Sequence, residues 1–229
     1  MKFLDMRYNN EYIIAMGDTI DCVPLINFLI NKHGRLIIPC YRHYRNNILS
    51  FFPKDINAEI IPINSFDDYQ YYHKSRIVLE INPKRHDEPL DYRHFEIATV
   101  YEEAGLPYKD RHKWNTIDKK RVNQLPIPSY PYAFVPEGGS TNAYKIDREL
   151  IGDGLELIIP PQDGMMLAYA DIIASAKEIH CHATAYQRLV DKLPTSGELY
   201  LHHYARATNI KPENYVKYGV NEKKWTQLI

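Results

Sequence analysis

Tyr12-Ile13-Ile14-Ala15-Met16-Gly17-Asp18-Thr19-Ile20-Asp21-Cys22-Val23-Pro24, running on to Gly34 and then to Arg35-Leu36-Ile37-Ile38-Pro39-Cys40, sets the fold of the first half of the chain. The apolar run Tyr12 to Met16 is short, partly β-branched and stopped by Gly17-Asp18, which predicts a buried strand. Asp18 or Thr19 can cap a helix whose apolar residues Ile20, Val23, Leu25, Ile26, Phe28, Leu29 and Ile30 recur at helical spacing. Asn31-Lys32-His33-Gly34 closes it with a basic last turn and a glycine beyond. Arg35 to Cys40 then predicts a second strand.

Outward from this unit, Tyr44–Phe52 has helical character and Glu59-Ile60-Ile61-Pro62-Ile63 predicts a third strand. Strand, helix, strand, helix, strand is the pattern of a parallel doubly wound half. Ile77 to Ile81 adds a strand, and His94 to Ala104 a helix stopped by Gly105 and Pro107. Gln124 to Pro131 carries Pro126, Pro128 and Pro131, which fix φ and extend their predecessors, so this stretch is a stiff linker. A second α/β series follows: strands at Tyr132–Val135, Leu155–Ile159, Glu178–His182 and Leu199–His203, with helices at Met165–Ala176 and Ala185–Leu193. The predicted fold class is α/β, with two small doubly wound (Rossmann-like) lobes, 1–125 and 126–229, facing across a cleft.

Composition narrows the function. Of 229 residues, 45% are hydrophobic and 25% charged, the balance of a chain with a real core. Lys and Arg number 28 against 29 Asp and Glu, a net charge of −1, so no general field draws the molecule to nucleic acid or a membrane surface. The 19 tyrosines suit both cores and sugar-stacking surfaces. Cys22, Cys40 and Cys181 stand apart with no CxxC pair, which predicts reduced, buried thiols in a cytoplasmic protein. No stretch approaches the roughly 18 apolar residues of a membrane span.

In an open parallel sheet, ligands meet the carboxyl ends of the strands, where helix N-termini present free N–H groups. Gly17 at such an end lets the backbone approach a ligand, and Asp18 beside it is placed as a general base or as a helix cap. Gly17-Asp18, five residues and Pro24 resemble the GD-x5-P opening of heptosyltransferase-type GT-B glycosyltransferases. That resemblance implies that Asp18 activates the acceptor hydroxyl.

The segment Leu167 to His180, followed by Cys181-His182-Ala183-Thr184-Ala185, resembles the late GT-B element where the donor diphosphate meets a helix N-terminus. A macrodipole and unpaired amides attract phosphate there whatever the family. The turn carries His182, Ala183 and Thr184 where the family shows an acidic residue and a glycine. The chain also resembles short glycosyltransferase-like proteins of phage and environmental bacterial genomes, through Ala176 to His180 and the closing Tyr200 to Arg206.

Further donor-site candidates are the turn Gly138, Gly139, Ser140 and Thr141, and the cations Lys145, Arg148, Arg188 and Arg206, each of which suits a solvated surface as well. With cations in place of a metal, the implied activity is metal-independent transfer of a sugar from a nucleotide-sugar donor to an acceptor that is a glycan, a small molecule or modified DNA. No cofactor is implied. Lys109 to Trp114 with Lys119-Lys120-Arg121 is the segment that would meet DNA.

Two alternatives stand beside this reading. One is a non-catalytic sugar-nucleotide or phosphate-binding protein with a degenerate cleft, favoured by the turn at His182. The other is a zinc hydrolase built on His180, His182 and His202 or His203, since His180 and His182 share a strand face.

Overall fold

The computed structural model describes residues 2–5, 7–8, 12–13, 16–74, 77–80, 101–102, 104–138, 144–204 and 223–228. The chain divides into two compact units, Met1–Arg121 and Val122–Ile229. Each is an α/β unit around a parallel sheet.

In the N-terminal unit the sheet consists of β1 (Lys2–Asp5), β4 (Leu36–Tyr41), β5 (Ala58–Ile63) and β6 (Ile77–Glu80), ordered β5-β4-β1-β6 and parallel throughout. The predicted opening strand is corrected here. Tyr12–Ile13 is β3, paired antiparallel with β2 (Arg7–Tyr8) in a separate two-stranded ribbon, and β1 takes the central position in the sheet. Helix α1 runs from Met16 to His33, so Gly17 and Asp18 lie in its first turn and not in a loop at a strand end. The cause is visible in burial. Met16, Ile20, Val23, Ile26 and Leu29 are all buried, a helical stripe that begins at Met16 and not after the glycine. Pro24 falls inside α1, as it does in the helix read from the sequence. The other end is as expected: Gly34, at φ +76°, follows the helix and donates its N–H to the carbonyl of Ile30.

Strand β4 is buried on both faces. Ile37 packs with Ile61, Ile63 and Tyr69 of α3 (Phe66–Lys74), while the alternate residues Leu36, Ile38 and Cys40 are also buried. That explains why Leu36 to Cys40 reads as an unbroken apolar run and not an alternating one. A short helix, α2 (Arg45–Ser50), joins β4 to β5. The 3-10 turn Tyr108–Trp114 packs back on α1: Trp114 meets Phe28 edge-on at 5.4 Å, and Asn27 donates to the Trp114 carbonyl. Arg111 lies 3.9 Å over the Tyr108 ring and Lys113 pairs with Asp110, so most of this basic segment's polar and aromatic groups are engaged within the unit. The expected helix at 94–104 lies mostly outside the described residues.

The C-terminal unit holds β7 (Tyr132–Phe134), β8 (Glu156–Ile158), β9 (Glu178–Cys181), β10 (Glu198–His202) and β11 (Thr226–Leu228), all parallel, in the order β11-β10-β9-β7-β8. The expected helix at Met165–Ala176 is a 3-10 turn, Met166–Tyr169, that runs into α4 (Ala170–Ser175). Helix α5 spans Ala185–Lys192.

Right-handed crossovers decide what covers each face. From β8 to β9 and from β9 to β10 the chain steps the same way across the sheet, so both connections lie on one face. There Tyr169 and Tyr186 pack against Phe134. The step from β7 to β8 runs the other way, and its residues Ile146, Ile151 and Leu155 pack on Ala133 and Val135 on the opposite face. That second face also carries Glu178, His180, Tyr200 and His202, because side chains alternate along β9 and β10. No helix among the described residues is long and apolar enough to cross a membrane. All three cysteines are free and buried.

Candidate functional site

Taken in chain order, the strands of the C-terminal sheet lie as second, first, third, fourth, fifth. The connections from β7 and β9 therefore leave to opposite faces, which makes the carboxyl ends of these two strands the switch point of the sheet. Two turns leave it. After β7 the chain passes through buried Val135 and Pro136 to Glu137, whose carboxylate accepts the Ile146 N–H at 3.1 Å and an Arg148 N–H at 2.7 Å. The Glu137 carbonyl accepts the Tyr144 N–H at 2.7 Å, so the returning chain is tied to the strand end. After β9 comes His182, fully buried, with its ring 4.7 Å from that of Tyr144.

Thr184 is the N-cap residue of α5, but its side chain caps nothing: the hydroxyl donates to the His182 carbonyl at 3.3 Å. Thr184 therefore does not cap α5 with its side chain. On the helix itself Gln187 donates to Asp191 at 2.7 Å, and Asp191 also accepts the Trp225 indole N–H at 2.8 Å. Arg188, expected on a solvated surface, is buried instead, as is every residue of α5 from Tyr186 to Asp191. Arg148 is exposed and paired with Glu137, and Lys145 is exposed. Gly138 follows Glu137 and packs close to Gln162. Gly139, Ser140, Thr141 and Arg206 lie outside the described residues, as does the side chain of Asp18.

The face of β9 and β10 that holds Glu178 and His180 carries a connected polar chain. The Asp147 N–H donates to the Tyr204 hydroxyl at 2.9 Å, and that oxygen lies 2.8 Å from His202 Nδ1. His202 Nε2 is 2.9 Å from His180 Nδ1, and His180 Nε2 is 2.8 Å from Glu178 Oε2. Glu178 Oε2 also accepts the Gly152 N–H at 3.0 Å. His180 stacks on Tyr200 with ring centroids 4.6 Å apart. Both histidines are buried at 0% and 1% exposure, while Tyr204 reaches solvent at 43%.

Burial is the main reason that His202 is pushed down to about 4, with His180 and His182 adding to it. His180 is also lowered by burial, partly offset by Glu178. Both rings are therefore neutral at pH 7.

Sequence reasoning put His180, His182 and His202 together as candidate metal ligands. The structure joins His180 and His202 by a hydrogen bond between their nitrogens, and no group of three or more His, Cys, Asp or Glu suited to a metal occurs among the described residues. Glu178 and Tyr204 were missed as members of the chain. Their signal is the two-residue spacing Glu178/His180 and Tyr200/His202/Tyr204, but only the strand register, Tyr200 beside His180, shows that the two sets meet. The chain matches no protein-family model, no curated protein and no solved structure.

Proposed function

We propose that the protein is a metal-independent glycosyltransferase of the GT-B kind, whose C-terminal unit holds the nucleotide-sugar donor. The observation that carries this reading is the switch point between β7 and β9, at which helix α5 begins directly after the β9 turn His182–Thr184. Parallel α/β sheets take ligands at such points, and a helix N-terminus there favours a diphosphate. Asp18, in the first turn of α1, is the candidate base for the acceptor hydroxyl.

A thermal-shift screen of the full chain against UDP-, GDP-, ADP- and CMP-sugars tests this directly. A donor present at about 100 times its dissociation constant adds about 2.7 kcal/mol of stability. If none of the four classes raises the melting temperature, the transferase reading is wrong. A second reading, a binding protein without turnover, draws on His182, which fills the turn with a buried ring against Tyr144. Asp18→Asn separates the two. It is expected to keep donor binding and to lose at least about 100-fold in turnover if the carboxylate is the base.

A further inference from the structure

We infer that the Tyr204 oxygen is a hydroxyl-recognition subsite, held as a hydrogen-bond acceptor by the buried chain His202–His180–Glu178. The inference deepens the transferase reading, on which its choice of a sugar hydroxyl as occupant rests.

The direction of each bond follows from its ends. Glu178 as a carboxylate has no proton, so it only accepts, and it does so from His180 Nε2–H and from the Gly152 N–H. A neutral His180 with its proton on Nε2 has a bare Nδ1, which must accept from His202 Nε2–H. His202 then has a bare Nδ1, which must accept the Tyr204 O–H. The Tyr204 oxygen already receives the Asp147 N–H. Among the described residues its proton is committed inward and one lone pair is filled, so what it has left to offer a ligand is the other lone pair. A ligand there must bring a donor. A sugar hydroxyl or an amide fits, and an acceptor-only phosphate oxygen is repelled.

The chain is one-way because of its anchor. Glu178 is seated against a residue without a side chain: a Cβ on Gly152 would lie 2.5 Å from Glu178 Oε1. Neutral rings are needed as well, since an imidazolium at either histidine would donate from both nitrogens and turn Tyr204 outward as a donor. The groups facing the pair are Glu178 and His182 on β9 and its turn, Tyr200 and His203 on β10 and just beyond, and Asp147 and Arg148 on the β7–β8 connection. Burial and the neighbouring imidazoles favour the neutral state, and it is in that state that the chain has one direction.

Histidine 15N spectra of the full chain test the proposal, with methyl glycosides of glucose, galactose and mannose and sulfate, an anion with no proton to donate, as probes. At pH 7.5 both His180 and His202 are expected as Nε2–H tautomers. At least one glycoside should shift the His202 Nδ1 signal, sulfate should not, and Tyr204→Phe should weaken the glycoside about tenfold or abolish the shift. Glu178→Gln replaces an acceptor by a group that donates as readily, so it should scramble the two tautomers and release Tyr204 to bind sulfate. An Nδ1–H tautomer at His202 overturns the inference. So does a response to sulfate alone, silence towards all three glycosides, or an unchanged tautomer in Glu178→Gln. Stabilisation by a nucleotide sugar with His202 silent to glycosides removes the subsite and spares the transferase. A glycoside response with no nucleotide stabilisation does the reverse.

Discussion

Tyr186 shows how one hydroxyl can work against a well-packed site. Its ring is buried and meets Phe134 edge-to-face at 5.5 Å, while its hydroxyl is enclosed with no hydrogen-bond partner among the described residues. Burial also pushes its ionisation well above the usual tyrosine range. A buried donor without a partner costs about 1–3 kcal/mol, and an apolar group of the same shape avoids that cost. Tyr186→Phe is therefore expected to raise stability by about 1 kcal/mol, or about 2–4 °C in melting temperature. A lower melting temperature in a calorimetric scan would show that the hydroxyl has a partner in solution. Gly152 makes the opposite case, because the Cβ that Gly152→Ala adds falls on Glu178 Oε1. The flexible carboxylate end must then swing aside, which pulls on the bonds that its Oε2 makes to His180 and to the Gly152 N–H. The change is expected to cost about 1 kcal/mol, read as a lower urea midpoint.

Strands and helices followed the sequence where their own residues decide them. Leu36–Tyr41, Ala58–Ile63 and Glu198–His202 are within two residues of their expected bounds at either end, because an apolar run between turn residues leaves little choice. The opening strand was misread because Ile13, Ile14, Ala15 and Met16 suit either state as a short apolar run. The wider stripe through Leu29 settles Met16 as helical. Lys2–Asp5 gave no signal of its own, since four residues with one fully buried leucine form a strand only when β4 and β6 flank them. Candidate groups near the switch point could be named from sequence, but their pairing could not. Glu137 with Arg148, and His180 with His202, meet through chain reversal and register. Gly197 makes that dependence testable. A Cβ there would run into the carbonyls of Ala176 and Lys177, the backbone that leads into β9, while the next residue, Glu198, donates its N–H to the Lys177 carbonyl. Backbone cannot step aside as a flexible side chain can. Gly197→Ala is expected to push β10 off β9 and cost at least about 2 kcal/mol. An unchanged chemical-unfolding midpoint would mean that the two strands do not pair as closely as described.

At the scale of the whole chain, acid should act unequally on the two units. His202 is pushed from the ordinary histidine value of 6.5 down to about 4, and His180 is lowered too, both in the C-terminal unit. A lowered folded-state histidine means that the unfolded chain binds more protons between those values, so stability is full above about pH 6.5 and drains as pH falls toward 4. For His202 alone the loss from pH 7.5 to 5 is about 2 kcal/mol. In the N-terminal unit His33 is lowered by partial burial and by Lys2 and Lys32, but it is only part-buried, so such effects are screened by solvent. The two tryptophans divide the units between them, Trp114 in the first and buried Trp225 in the second. In Trp114→Phe, fluorescence reports the C-terminal unit alone, and its urea midpoint is expected to fall between pH 7.5 and 5. In Trp225→Phe the remaining signal should move much less. Adding His202→Gln to the first variant should reduce its pH dependence, because one of the two buried histidines that take up protons on unfolding is gone. A C-terminal midpoint that stays level down to pH 5 would mean that His202 titrates normally and is not held neutral by its surroundings.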